Sequence, residues 1–502
     1  MTTASSTERR RLWTSGAAAS ISVATNFLSS AAVSGLAFRQ IGPELLGSWA
    51  LMWSTLGLGV VLLLGLPTLI TPTIARYRDE GNDAQVHDLF VTTHAMVLVI
   101  ATGWLVVSYL ASDLLLHLVS LRSTAPHRTV LAVAAAGVFS TQMSAFYAGA
   151  LDGCGRMRQR AVLNTLSVVV YVLTALWLVP SHKLLGLALA FLAQALVAMV
   201  SMRVALYACM EKGTARKSGS ILTLDLRELI VQGASLQFVG LLVGAVEWGS
   251  KVLIGQVGSL AVVSYFDLAL KVVVQLRNVL LAGAQITLVE FAKRRHALGE
   301  SDLFLNSTLV FMGLAAPFFV LLLLAAPLIS NLLIGHTEPA FIGALRCITL
   351  GLIPQLVCAP AYFALIAQRR MTWVLYSHVV MLAIVLGVAL ATHTWIAIVV
   401  AYAIAYLATI PMLIWGVRVE RLVDASAFRL LRWAFVLGGF PWFAGLMYSR
   451  PGFETISTPL PMAVMCVLCL LFMAWLMRLA HMSSLSGEST RPPHGLYGEK
   501  DP

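Results

Sequence analysis

Apolar runs of about 20 residues recur from one end of the chain to the other, each followed by a short polar loop. They fall near 15–37, 45–69, 90–111, 129–151, 161–180, 184–208, 229–255, 260–288, 303–330, 340–367, 371–391, 394–416, 428–448 and 460–480. Runs of that length cross a bilayer as helices, because in lipid the backbone must satisfy its own hydrogen bonds. The pattern predicts an all-α polytopic membrane protein with about 14 transmembrane helices.

The loops carry a second alternation. One set holds Arg76 and Arg78, the cluster Arg156/Arg158/Arg160, then Lys212, Arg216, Lys217 and Arg227, and later Lys293 to Arg295, Arg369/Arg370 and Arg418 to Arg432. The opposite set holds little beyond Arg39, Arg122, Arg128, Lys183 and Arg450. The positive-inside rule then places both termini in the cytoplasm. The segment 1–14 is polar and basic, and the run after it contains Ser20, Ser22, Asn26, Ser29 and Ser30. That is too long and polar for a cleaved export signal, so an uncleaved first helix is expected.

Composition sharpens the class. Hydrophobic residues make up 59% and charged residues 11%, and no large hydrophilic block interrupts the spans. The net charge of +11 is scattered over loops at the membrane surface, which fits anionic lipid headgroups and argues against nucleic acid. Of the six cysteines, Cys466 and Cys469 form a CxxC inside an apolar run without a second pair. They read as small packing residues, not as a metal or redox site.

One hairpin departs from the apolar rule. Gln237, Gly240, Gly244, Glu247 and Lys251 recur at steps of three and four, which puts them on one helical face. After the break at Gln256 to Ser259, Ser264, Asp267, Lys271, Gln275 and Asn278 do the same, with Arg277 beside them. A charge near mid-bilayer costs roughly 2.5–3.5 kcal/mol on insertion scales, so such a cluster must face a watery cavity or other charges. Lys251, Lys271, Arg277 and Arg346 outnumber Glu247 and Asp267, and Arg39 stands at the outer mouth of the first span. A cationic excess of this kind suits an anionic headgroup such as a pyrophosphate. Glu247 and Asp267 are the candidate charge-balancing and coupling groups, and Asn26, Gln237 and Gln275 the candidate polar lining. The competing reading is local: Glu247/Lys251 and Asp267/Lys271 are each spaced i,i+4, so each pair can simply neutralise itself.

A weak internal repeat organises the chain. Gln40-Ile41-Gly42 is matched by Gln256-Val257-Gly258, Ser48-Trp49 by Ser264-Tyr265, and Arg156-Met157 by Arg370-Met371. This predicts two six-helix lobes as parallel repeats, followed by two extra C-terminal helices. The expected segments are a cytoplasmic N-terminus (1–14), an N-lobe (15–210), a cytoplasmic linker (211–228), a C-lobe (229–416), a final helix pair (428–480) and a disordered cytoplasmic tail (482–502).

The run from Arg39 through Gly42-Pro43, Gly47 and Trp49 resembles the opening of bacterial polysaccharide exporters. So do Gly65-Leu66-Pro67 to Tyr77, and Leu253 to Lys271. These exporters are lipid-linked oligosaccharide flippases of the multidrug/oligosaccharidyl-lipid/polysaccharide exporter superfamily. Leu64 stands where that pattern has an acidic residue, so no carboxylate on the second span is carried over. The resemblance implies a flippase in the bacterial inner membrane that moves a polyprenyl-pyrophosphate-linked oligosaccharide by alternating access. Its implied partners are that substrate, membrane lipids and polysaccharide polymerase machinery. No cofactor or metal is expected; energy would come from an H+ or Na+ gradient or the membrane potential.

Enzymatic chemistry finds little footing. The chain has no Gly-Lys pair for a phosphate loop and no Asp-x-Asp pair for a nucleotide-sugar metal. A membrane glycosyltransferase or polymerase would also want a large exported-side loop. A multidrug/cation antiporter would want an acidic cavity. A peptidoglycan-precursor flippase shares the anionic headgroup and stays open.

Overall fold

The computed structural model describes residues 25–61, 63, 66–210, 223–293, 300–368 and 370–420. The expected terminus 1–14, linker residues 211–222, helix pair 428–480 with Cys466 and Cys469, and tail 482–502 lie outside the described residues. Each apolar run that falls inside them forms helix. The chain is an all-helical, multi-pass membrane protein.

Helix α1 (residues 25–41) closes at Gly42, whose φ of 82° only glycine adopts freely and whose N–H donates to the Phe38 carbonyl at 3.0 Å. Pro43 then opens α2 (Pro43–Val61), where its missing N–H costs nothing. The run expected as one span at 45–69 is two helices, α2 and α3 (Leu66–Asp79). Pro67 cannot donate to the Leu63 carbonyl, and Leu66 N–H takes that acceptor at 3.0 Å instead. Asn82 caps α4 (Asp83–Leu110), which is followed by the short α5 (Ser112–Leu118). Thr124 caps α6 (Ala125–Gly153).

Helix α7 (Met157–Met210) runs through two expected spans, broken at Lys183 with φ 52° and ψ −123°. Then come α8 (Thr223–Val257) and α9 (Leu260–Lys293), the latter capped by the Ser259 hydroxyl accepting from Val262 N–H at 3.4 Å. After them follow α10 (Glu300–Leu333), α11 (Pro339–Gln355), a 3₁₀ turn at Leu356–Cys358, and α12 (Ala359–Ala367). The expected span 340–367 is thus jointed around Pro354 and Pro360. The described chain ends with α13 (Met371–Thr392) and α14 (Trp395–Val419).

Contacts divide the chain into two compact units. The first comprises Met1–Ala282, Ala326–Ile348 and His378–Ala405; the second comprises Gly283–Ala325, Thr349–Ser377 and Tyr406–Pro502. In the first, α3, α4, α6 and α7 share a core around Ile70, Leu89, Phe146, Tyr147 and Leu206. In the second, Glu420 accepts from Trp373 Nε1 at 3.2 Å and pairs with Arg370 at 3.1 Å, tying the start of α13 to the end of α14.

Candidate functional site

The polar face read from the sequence folds into a single ladder of charges within the first unit. Lys251 on α8 reaches Glu247, one turn back on its own helix, at 3.1 Å, and Asp267 on α9 at 2.8 Å. Asp267 in turn holds Lys271, one turn on, at 2.7 Å through its other oxygen. The two local pairs are therefore joined across the helices. Only 3% of the Lys251 side chain and 2% of the Asp267 side chain are exposed, against 32% for both Glu247 and Lys271. Burying one such charge alone would be prohibitive; alternation of sign along the ladder offsets the cost. The neighbouring hydroxyls stay out of it, since Ser250 donates to Val246 O and Ser264 to Ala261 O.

Lys251 is buried between two carboxylates and does not line the recess beside Lys271. Its ammonium serves as the internal counter-ion of two carboxylates, as the local-pair reading expects in part. Lys271 differs. With Gln275 it borders a small, water-sized recess that Phe27, Ser30 and Ser34 of α1 also line. The recess surface is mostly apolar, and Lys271, Gln275, Ser30 and Ser34 are the polar residues among its lining. That set can hydrogen-bond and charge-balance a small anion.

The other sequence candidates lie elsewhere. Arg39, at the exposed end of α1, donates through Nη2 to the carbonyls of Asn331 at 3.2 Å and Leu332 at 2.6 Å. Those are terminal acceptors of α10, so Arg39 acts as a helix cap and not as part of the recess. Arg277 is half-buried on α9 and Arg346 buried on α11, and neither lines the recess. Asn26 and Gln237 are half-buried and also outside it. Among the described residues no cluster of three His, Cys, Asp or Glu side chains could hold a metal.

Sequence reasoning had not singled out Ser30 and Ser34 as lining. The signal was present, because serines four apart on an apolar helix share one face. Ser29, by contrast, is spent on the carbonyls of Thr25 and Asn26.

A family model described as "Polysaccharide biosynthesis protein" matches residues 15–289. No curated protein matches the chain. Among solved structures, the fold is similar to lipid II flippase MurJ in an inward closed conformation, with a TM-score of 0.66 at 12% identity over 95% of this chain and 99% of that one. It is similar to an inward-facing multidrug resistance MATE family transporter of the MOP superfamily, with a TM-score of 0.65 at 16% identity over 79% and 95% of the two chains. A MOP superfamily transporter from Pyrococcus furiosus, described as having a binding pocket of reverse polarity, matches with a TM-score of 0.60 at 16% identity over 81% and 96%. At such identities the likeness is one of fold.

Proposed function

The chain belongs to the polysaccharide biosynthesis protein family, and on that premise we propose that it is a flippase carrying a polyprenyl-pyrophosphate-linked oligosaccharide from the cytoplasmic to the outer leaflet of the bacterial inner membrane. The observation that carries this reading is Lys271, whose side chain is one-third exposed, beside a largely apolar recess that also has Ser30, Ser34 and Gln275 among its lining residues. A phosphate needs a positive charge and hydrogen-bond donors sheltered from water, and Lys271, Ser30, Ser34 and Gln275 supply both. The polyprenyl tail stays in the acyl chains. The two lobes expected from the internal repeat would alternate access, driven by an ion gradient or the membrane potential. Both termini would lie in the cytoplasm.

A drug-cation antiporter fits less well, because the ladder is electrically balanced and its end at the recess is cationic. A peptidoglycan-precursor flippase remains the second reading, since the fold matches MurJ over nearly its full length. Deleting the gene tests both. Viable cells stripped of surface polysaccharide, with lipid-linked repeat units held on the cytoplasmic leaflet, support the proposal, and Lys271→Met should fail to complement. Lysis on depletion assigns the peptidoglycan precursor. Unchanged surface polysaccharide in intact cells rejects both.

A further inference from the structure

The ladder has a buried centre and two open ends of opposite sign, which is more than joining two helices requires. Glu247 and Lys271, the ends, are each 32% exposed, while Lys251 and Asp267 between them are 3% and 2% exposed. The four formal charges cancel. From the position of Lys271, however, the other three sum to a single negative charge, so its ammonium is already compensated before any ligand arrives.

Resting on the headgroup reading above, we propose that Glu247 sets how much of the positive charge of Lys271 is offered to an anionic headgroup, acting through Lys251 and Asp267. With Glu247 ionised, Lys251 is divided between two carboxylates at 3.1 and 2.8 Å, and Asp267 keeps negative charge to spend on Lys271 at 2.7 Å. Neutralising Glu247, by a bound cation or by substitution, hands Lys251 wholly to Asp267. The ladder then carries one net positive charge, and Lys271 is released toward phosphate oxygens at the recess. Glu247 never touches the headgroup; it is a positioning residue. Linkage makes the effect reciprocal: an anion at Lys271 raises the affinity of the Glu247 end for a cation.

The test uses the full chain in lipid nanodiscs, with Glu247→Gln as the main variant. This change is isosteric, sits at an open end and leaves no buried charge without its counter-ion. Glu247→Asp is the charge-retaining control, and Lys251 stays intact throughout. Labelling of Lys271 by an amine-reactive ester, read by peptide mass spectrometry, needs no ligand. It should rise about threefold or more in Glu247→Gln, where the field on the amine falls, and stay near wild type in Glu247→Asp. Unchanged labelling in Glu247→Gln overturns the proposal.

Binding of geranyl pyrophosphate, a short polyprenyl pyrophosphate, supplies the second readout. Glu247→Gln should tighten Kd about three- to tenfold, and the gain should vanish in Glu247→Gln/Lys271→Met. A gain that persists without Lys271 overturns the relay. Raised labelling without geranyl pyrophosphate binding to either protein upholds the ladder and rejects the headgroup reading.

Discussion

Lys251 on α8 and Asp267 on α9 meet at 2.8 Å with 3% and 2% of their side chains exposed, so an ion pair joins the two helices where water hardly reaches. Removing either partner strands charge in a dry place. Lys251→Met leaves Asp267 with Lys271 alone, and Asp267→Leu leaves Lys251 with Glu247 alone. Each should lower stability by about 3–5 kcal/mol, the first toward the lower end, read as a lower melting temperature of the detergent-solubilised protein. The double variant Lys251→Met/Asp267→Leu should recover most of the loss, because no buried charge remains. Single variants as stable as wild type would mean that the pair carries no structural weight.

Gly47 on α2 faces the backbone of Leu260 at the start of α9 so closely that an added Cβ would lie 1.9 Å from the Leu260 carbonyl oxygen. No rotamer change relieves a clash with backbone, so α2 and α9 would have to separate. Gly47→Ala is expected to cost about 1–3 kcal/mol or more and to reduce the yield of monodisperse protein. Gly103 on α4 has nothing within 4 Å of its would-be Cβ, and Gly103→Ala should be neutral or stabilise by up to about 1 kcal/mol. Equal behaviour of the two variants would sink the close-approach argument.

Arg39 satisfies two of the terminal carbonyls of α10, those of Asn331 and Leu332. The same end of α10 holds the amides of Ile334 and Gly335 on the carbonyls of Ser330 and Asn331 at 2.8 and 3.1 Å. Arg39→Ala should therefore loosen the last turn by about 1 kcal/mol, seen as roughly fivefold faster deuterium uptake at Ile334 and Gly335. Arg39→Lys should fall between, since one ammonium reproduces the fork poorly. Uptake identical to wild type in Arg39→Ala would show that the cap is dispensable.

Much of this site was legible because helical periodicity is strict. Steps of three and four placed Glu247 with Lys251, and Asp267 with Lys271, before any coordinates. The same spacing is compatible with a local pair and with pairing across helices. Only the relative height of α8 and α9 decides that Asp267 serves both lysines, and no single-helix pattern encodes height. Arg39 shows the same limit more sharply, since its carbonyl partners are 292 and 293 residues away in sequence. Arg277 fell out of the recess for a simpler reason. It lies six residues beyond Lys271, about 240° around α9, so the charge belongs to the same helix but not to the same face. The break between α2 and α3 could have been anticipated from Pro67, whose missing N–H counts more than the apolar run around it.

Cys154, just past the end of α6, provides a pH-dependent test of local packing outside the spans. Burial pushes its thiol up to about 11, the nearby Cys209 adds to the rise, and Arg78 opposes it. Arg78 sits between the end of α6 and the end of α7, donating through Nη1 to the Cys154 carbonyl at 3.0 Å and lying 3.9 Å from the Cys209 sulfur. Only the thiolate reacts with maleimide, so with the other cysteines replaced except Cys209, Cys154 should label very slowly at neutral pH. Its rate should climb about tenfold per pH unit until near the shifted value. Cys209→Ser removes one upward cause and should speed labelling at a fixed pH; Arg78→Gln removes the opposing charge and should slow it further. A Cys154 that labels at neutral pH as fast as a free cysteine, whose pKa is about 8.5, would show that this corner opens to water far more than its packing implies.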